Sequence, residues 1–460
     1  MNNQIVVVNV SQTIAPTPNK LQKTGALVSQ GGTTTAIGTQ TLLRSAADLT
    51  AILTPAAAIT SMSWTTGVVT VIAAAPHGFS NGATLWMVIA GATPSTYNGL
   101  HLCTITTNSH FTFPLVSDPG AETIPGTYQL ASASELLQMV TTFFAQGTGQ
   151  AVWVNELGVG SPAAGVTALN TWIQNNPGSY YSYLVPREWA GESTYLTFLA
   201  QFEATNAKVY FFTTMTLSNY TTFTALMKCV FGMVEAPGTP STEFSLAAAF
   251  RVTLNYNPSS TNKVPPTSFA FLFGVTPYPL SGNQTILAAL QASGVNYVGT
   301  GGEGGISNTV LFWGTTMDVR PFNYWYSVDW VQINIQLDVA NAVINGSNNP
   351  SNPLYYNQDG INRLQGVGRR TLTNGVSFGL VFGTVAQSSL SQDDFNAAFD
   401  DGDFDGEAII NAVPLTVYAS QNPSDYKDGI YQGFAISYSP ARGFVNIVFF
   451  VNVTDFLVAA

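Results

Sequence analysis

The sequence predicts an α/β protein: a strand–helix alternating core that carries a small inserted all-β module and extended, strand-forming N- and C-terminal arms. Three observations lead there. From Ala131 onward, short β-branched or aromatic runs alternate with segments of helical spacing. Between Ile59 and Leu130 the texture is instead a series of short β-rich runs separated by turn residues. Both ends of the chain read as strands. The corresponding division is 1–35 (arm), 36–58 with 131–255 (first α/β portion), 59–130 (inserted β module), 256–442 (second α/β portion) and 443–460 (arm).

Taken in order, Ile5, Val6, Val7, Val8 and Val10 form a β-branched run, followed by Pro16-Thr-Pro18 and a polar Gly/Thr stretch through Thr35. The segment reads as an extended arm with one strand, and Ser11–Thr35 as a hinge. In the module, Val68–Ala73, Thr84–Ile89, His101–Thr106 and Phe111–Leu115 read as strands. Ala151–Leu157 and Tyr180–Pro186 read as buried strands, with Ala168, Leu169, Trp172 and Ile173 at helical spacing between them. Leu196 and Leu199 belong to a helix, Val209–Thr213 and Val230–Glu235 to strands, and Phe223–Met227 to a helical turn. After Pro265-Pro266, Ile286–Ser293 reads as a helix, and Val295–Val298 and Val310–Trp313 as strands. Tyr326, Trp330, Ile333, Leu337, Ala340 and Ile344 recur at spacings of four and three, one apolar stripe of a long helix that Gly346 is expected to stop. At the end, Val445, Ile447, Phe449, Val451 and Val453 alternate as one buried face of a strand, and the break at Pro440–Gly443 reads as a second hinge.

Composition narrows function. The 460 residues contain 14 Lys+Arg and 25 Asp+Glu, 8% charged, against about 25% in an ordinary soluble protein. An exterior built from Ser, Thr, Asn, Gln and Gly suits a subunit packed against copies of itself. A net charge of −11, with no basic cluster beyond Arg369-Arg370, argues against direct nucleic-acid binding. At 46% hydrophobic and 12% aromatic residues the chain is not disordered. No apolar run reaches the ~20 residues of a membrane span, Phe444–Phe456 being interrupted by Asn446, Asn452 and Asp455. The N-terminus lacks the marks of a secretory signal, so a soluble chain made in a cytoplasm is expected. Cys103 and Cys229 imply no disulfide framework.

Each motif has a competing reading. Gly299, Gly301 and Gly304 match a dinucleotide fingerprint, but a strand rather than a helix is expected to follow, so no helix N-terminus would meet a phosphate. Asp401, Asp403, Asp405 and Gly406 open like a calcium loop, whose twelfth position is then Ala412 instead of Glu. Seven acids between Asp393 and Glu407 read as a solvated loop, or as a subunit contact with Arg369, Arg370 or Arg320. His77, His101 and His110 all fall in the inserted module near Cys103, without the spacing of metal ligands. Trp64 and Trp86 raise a carbohydrate-binding surface, against ordinary core packing. No catalytic residue, cofactor or metal ligand is nominated.

Two stretches resemble known families. "APHGFSNGATL" (75–85) and "TYNGLHLCTITTNSHFTF" (96–113) resemble a small β-domain recurrent in phage structural proteins. "VPPTSFAFLFGVTPYPL" (264–280), "ILAALQASGVNYVG" (286–299), "LFWGTTMD" (311–318), "YSVDWVQINIQLDVANAVIN" (326–345) and "DGIYQGFAISYSPARGFVNIVFFVNV" (428–453) resemble the tail sheath proteins of contractile bacteriophages, in their divergent sheath-like branch. An arginine-rich stretch common near the long helix of sheaths is missing from Ile333–Leu337; the basic residues come later, at Arg363, Arg369 and Arg370.

The resemblance implies a structural, non-enzymatic subunit of the virion tail, made in the host bacterial cytoplasm. Its copies would stack into a helical or ring-stacked homopolymer around the inner tail tube protein. Terminal arms would complete sheets on neighbours, and contraction would drive the tube through the host envelope for genome delivery. Baseplate and tail terminator proteins are the other implied partners. The alternatives are another tail component, tube or baseplate, and a tail-associated hydrolase.

Overall fold

The computed structural model describes residues 21–147, 149–205, 208–223, 227–254, 258–279, 283–300 and 307–444. The expected terminal strands, Ile5–Val10 and Val445–Val453, lie outside them.

In chain order, the strands begin with β1 (Gly25–Ser29) and β2 (Gln40–Leu43), then β3 (Ala57–Thr65), β4 (Val68–Ala73), β5 (Thr84–Ala90), β6 (Gly99–Ile105), β7 (His110–Pro114) and β8 (Thr127–Leu130). Helix α1 (Ala131–Ala145) follows, then β9 (Val152–Glu156), α2 (Pro162–Asn175), β10 (Ser182–Leu184), α3 (Ser193–Ala204), β11 (Tyr210–Met215), β12 (Val230–Val234) and α4 (Ser245–Leu254). The chain continues through α5 (Gln284–Ala292), β13 (Asn296–Thr300), β14 (Thr309–Phe312), α6 (Phe322–Asn348) and α7 (Gln358–Ser377). It ends with β15 (Val381–Phe382), β16 (Thr384–Ser388), α8 (Gln392–Asp400), β17 (Glu407–Ala412), α9 (Leu415–Gln421), α10 (Pro423–Asp428), β18 (Phe434–Ser437) and β19 (Ser439–Pro440).

The main sheet has eight strands in the order β14-β13-β12-β11-β10-β1-β9-β2. Its six inner strands are parallel, while β2 and β14 run antiparallel at the edges. Because side chains alternate across a strand, adjacent residues feed two cores. Leu27, Val154, Phe212 and Phe231 face α1, α4 and α6. Ala26, Val28, Phe211 and Val230 face α2, α3 and α5. Covering both faces is what allows strands with no polar side, such as the wholly buried β11.

The inserted module is a closed barrel, β3-β4-β7-β6-β5-β8. Every second residue of β4 and β7 (Val69, Val71; Phe111, Phe113) fills its interior with Met87, Ile89, Cys103 and Tyr128. Closure removes the edges that short strands would otherwise expose. Strand β8 runs directly into α1, so the barrel is joined to the main sheet's helical layer with no linker between them.

Three expectations are corrected. The polar Gly/Thr stretch conceals β1: Gly25–Ser29 is wholly buried in the middle of the main sheet, paired with β9 and β10. Residues 25–35 are therefore neither arm nor hinge. Five small or apolar residues with both faces covered give no alternation to read. The division at residue 255 does not divide the sheet, since β13 pairs with β12 and extends it. Gly346 does not stop the long helix. It is buried within α6, where an added Cβ would lie 2.3 Å from Cβ of Leu354, so it is there for close packing. The helix instead ends before Asn349-Pro350, where proline disfavours helical geometry in the preceding residue. The apolar stripe also outlasts its cover: Tyr326, Trp330 and Ile333 are buried, whereas Ile344 is 59% exposed.

Candidate functional site

In a sheet of this order, ligands bind at the C-terminal ends of the strands, where the connections diverge. Here that place lies between β1, which leads on toward β9, and β10, which leads toward β11. The loop after β1 wraps a carboxylate from its own sheet. Glu156, at the end of β9 and 1% exposed, accepts from Gly31 N–H (2.6 Å) and Gly158 N–H (2.7 Å) through Oε1. Its Oε2 accepts from Thr33 N–H (3.0 Å), Thr33 Oγ1 (2.8 Å) and Ser29 Oγ (2.8 Å). Backbone N–H groups arranged around a concavity are an anion site. In this chain the protein fills it with its own anion, which fixes the loop.

A second polar knot follows β10. Arg187 grips Glu235 with Nε (2.9 Å) and Nη2 (2.8 Å), donates through Nη1 to Gln138 (2.9 Å) and lies 3.5 Å from Glu135 Oε1. Its guanidinium stacks over Phe244 at 4.0 Å. Burial pushes the Glu135 carboxyl up to about 7, against the pull of Arg187. The knot ties the first turns of α1 to the loops after β10 and β12. A third knot fixes the long helix: Asp329 of α6, 7% exposed, accepts from Tyr181 (2.8 Å) and Tyr210 (2.9 Å) at the opposite end of the sheet. Burial raises its pKa, and the two phenol donors oppose that shift.

The C-terminal part presents an open surface. Strand β17 pairs in parallel with β16 and antiparallel with β18. Among the described residues, β16 and β18 pair within this sheet with β17 alone, so each turns one edge outward. Beside it runs a groove of about 390 Å³, lined by Ile335 and Val339 of α6, Leu364 of α7, Ile410 of β17, and Phe434 and Ile436 of β18. Its walls are almost wholly apolar, and on α6 it is lined by Ile335 and Val339, a face adjacent to the stripe, which it meets only at Ala340.

The residues singled out from the sequence are placed as follows. Asp401, Asp403 and Asp405 are exposed on the turn after α8, braced by Phe404 stacking on Phe395 at 5.4 Å. Arg369 and Arg370 are exposed on α7. The structure does not pair these acids with these arginines: among the described residues, the ion pairs are those of Arg187 with Glu135 and Glu235. Gly299 lies in β13, and the antiparallel strand β14 follows. The histidines do not converge: His77 stacks on Phe79, His101 on Phe113, and His110 bonds Thr107. Cys103 points into the barrel, where burial pushes its thiol up to about 12. Trp64 is a packing residue that donates to Leu115 O, while Trp86 is exposed. Sequence reading missed Glu156, Arg187 and Asp329. Among the described residues, no helix is long and apolar enough to cross a membrane.

No family model and no curated protein sequence matches the chain. Among solved structures, the fold is similar to that of a chain in the cryo-EM structure of the anti-feeding prophage (AFP) baseplate. The TM-score is 0.53 at 10% identity, over 99% of both chains. A chain of the AFP helical sheath in its contracted state aligns at TM-score 0.48 and 11% identity over 98% of both chains. The sheath tail protein from Desulfitobacterium hafniense aligns at 0.36 and 9% identity, over 81% of this chain and 90% of that one. The first of these is a likeness of fold that extends from end to end.

Proposed function

We propose that the chain is a structural, non-enzymatic subunit of a contractile tail sheath, or of a related contractile injection particle, assembling with copies of itself through its terminal segments. The observation that carries this reading is the three-stranded sheet: an outward edge at β18 beside an apolar groove, in a chain that begins with a β-branched run and ends with an alternating apolar one. An extended segment added to such an edge gains main-chain hydrogen bonds, and its alternate side chains fill the groove. Val445–Val453 has the required alternation, and Ile5–Val10 is a β-branched run suited to the same extended pairing. The whole-length likeness to a chain of the AFP baseplate supports the same reading.

In this account the subunit lies in the particle's tail, around an inner tube, with baseplate and terminator proteins at the ends. Contraction is a rigid-body rearrangement in which the paired arms stay paired. Even about 1 kcal/mol of extra complementary contact per subunit, small beside the stability of one domain, sums along a polymer to a large drive without a fuel site. Exposed Asp401, Asp403 and Asp405, facing Arg369 and Arg370 of another copy, would add register. A baseplate position for the same fold is the second reading, favoured by the particle in which the similar chain is found.

Negative-stain imaging of the purified full chain tests the proposal. Hollow cylinders or stacked rings are expected, and they should disappear when residues 1–20 or 445–460 are removed. A stable monomer at high concentration would contradict it.

A further inference from the structure

Between the barrel and the main sheet lies a cleft of about 530 Å³, within the ~300–1,000 Å³ range of small-molecule sites. Its place is informative on two counts: it lies at the junction of two bodies, and it opens on the loops that follow β1, β9 and β10, where the strand order diverges. One wall is the outer face of the barrel, with Trp86, Leu100 and Leu102 all at least 40% exposed. Val159 continues the apolar wall on the sheet side. The far end is polar, with Glu135, Gln138, Arg187 and Glu188.

The charge at that end selects the ligand. Nε and Nη2 of Arg187 are taken by Glu235, Nη1 by Gln138 and Glu135, and Nη2 also by the carbonyl of Glu243. The guanidinium therefore has little left to offer an anion. The acceptors are less committed: the bonds to Glu135 fall on Oε1, and Glu188 is exposed on the loop after β10. The N-termini of α1 and α2 also face the cleft. Each carries at most about half a positive charge, and that of α2 is already capped by Ser161 Oγ. Glu235 is matched by Arg187, which leaves Glu135 and Glu188, the two carboxyls that line the cleft, to make its end acidic.

We propose that this cleft binds a small amphiphilic amine, with its cationic head against Glu135 and Glu188 and its apolar body against Trp86, Leu100 and Leu102. Such a ligand would bridge the barrel and the main sheet across their junction. The inference is independent of the assembly role. The groups facing Glu135 are Arg187 and Glu188 on the loop after β10 and Glu235 at the end of β12. Since the Glu135 carboxyl sits at about 7, a cation should bind more tightly as pH rises through that value and the group ionises. Between about pH 6 and about pH 8 the ionised fraction changes up to about tenfold.

The test is calorimetric titration of the full chain with 2-phenylethylamine, which is cationic at both pH values, beside neutral 2-phenylethanol and anionic 3-phenylpropionate. The amine is expected to bind at least about tenfold more tightly than either analogue at pH 8, and severalfold more tightly at pH 8 than at pH 6. Glu135→Gln should remove most of that pH dependence, the remainder belonging to Glu188, whose pKa burial also raises. Glu188→Gln, at an exposed position where folding is not at stake, should weaken the amine alone. Trp86→Ser with Leu100→Ser should weaken all three ligands. No amine binding at millimolar concentration, equal binding of the three ligands, or binding that neither carboxylate variant changes would overturn the proposal.

Discussion

Replacing Glu156 by Gln is the sharpest test of how the loop after β1 is held. The carboxylate receives five hydrogen bonds, three of them from backbone N–H groups that cannot turn away. If the new amide NH2 took the Oε1 position it would face the N–H groups of both Gly31 and Gly158. At the Oε2 position it faces only one N–H, that of Thr33, because the Ser29 and Thr33 hydroxyls can rotate and accept. The second orientation should therefore win. It orphans one buried donor and removes the charge from the others, at a cost of about 2–3 kcal/mol. Glu156→Ala orphans all three N–H groups and opens a cavity, for about 5 kcal/mol. Urea unfolding followed by tryptophan fluorescence should rank parent above Gln above Ala. Amide exchange of residues 29–35 should quicken in the same order. A Gln variant within about 0.5 kcal/mol of the parent, with unchanged exchange in the loop, would refute this accounting.

Other perturbations follow from the remaining knots and the groove. Asp329 has a pKa raised by burial, so its contribution is greatest at low pH and is lost as pH rises through the folded-state value; Asp329→Asn should stabilise the protein at pH 8 relative to the parent, with the gap closing toward acid in pH-dependent unfolding. Removing both donors, Tyr181→Phe with Tyr210→Phe, should cost about 3 kcal/mol at neutral pH by the same assay, since a buried carboxylate is left unpaired. Arg187→Met should cost about 3 kcal/mol, because Glu235 loses a bidentate partner and Glu135 its nearest cation. Ile436→Asp in the groove should leave the circular dichroism of the monomer unchanged and abolish polymers in sedimentation.

Much of the architecture was legible because it is written in periodicity. The barrel strands alternate around one filled interior, and the stripe from Tyr326 to Ile333 follows a helix that does pack there. What escaped has physical reasons. Strand β1 is buried on both faces, so it lacks alternation, and its short run Gly25–Ser29 sits among turn residues. Gly346 carries the same letter whether it ends a helix or admits Leu354, and only the neighbour distinguishes the two. The polar knots were illegible for another reason. Glu156, Arg187 and Asp329 belong to no motif, and their partners lie up to 148 residues away, as Tyr181 does from Asp329. The charge density of the acidic turn at Asp401–Asp405 predicts a solvated loop or an intermolecular contact, and within the subunit its carboxylates are exposed.

The central claim is that one copy is incomplete and is finished by segments of its neighbours. Cryo-EM of the assembled full chain, at a resolution that traces the backbone, tests it most directly. A strand from a different copy, drawn from residues 1–20 or 445–460, is expected along β18 with its apolar side chains in the groove of Ile335, Ile410 and Ile436. A map in which both ends of every copy pair only with their own subunit would contradict it.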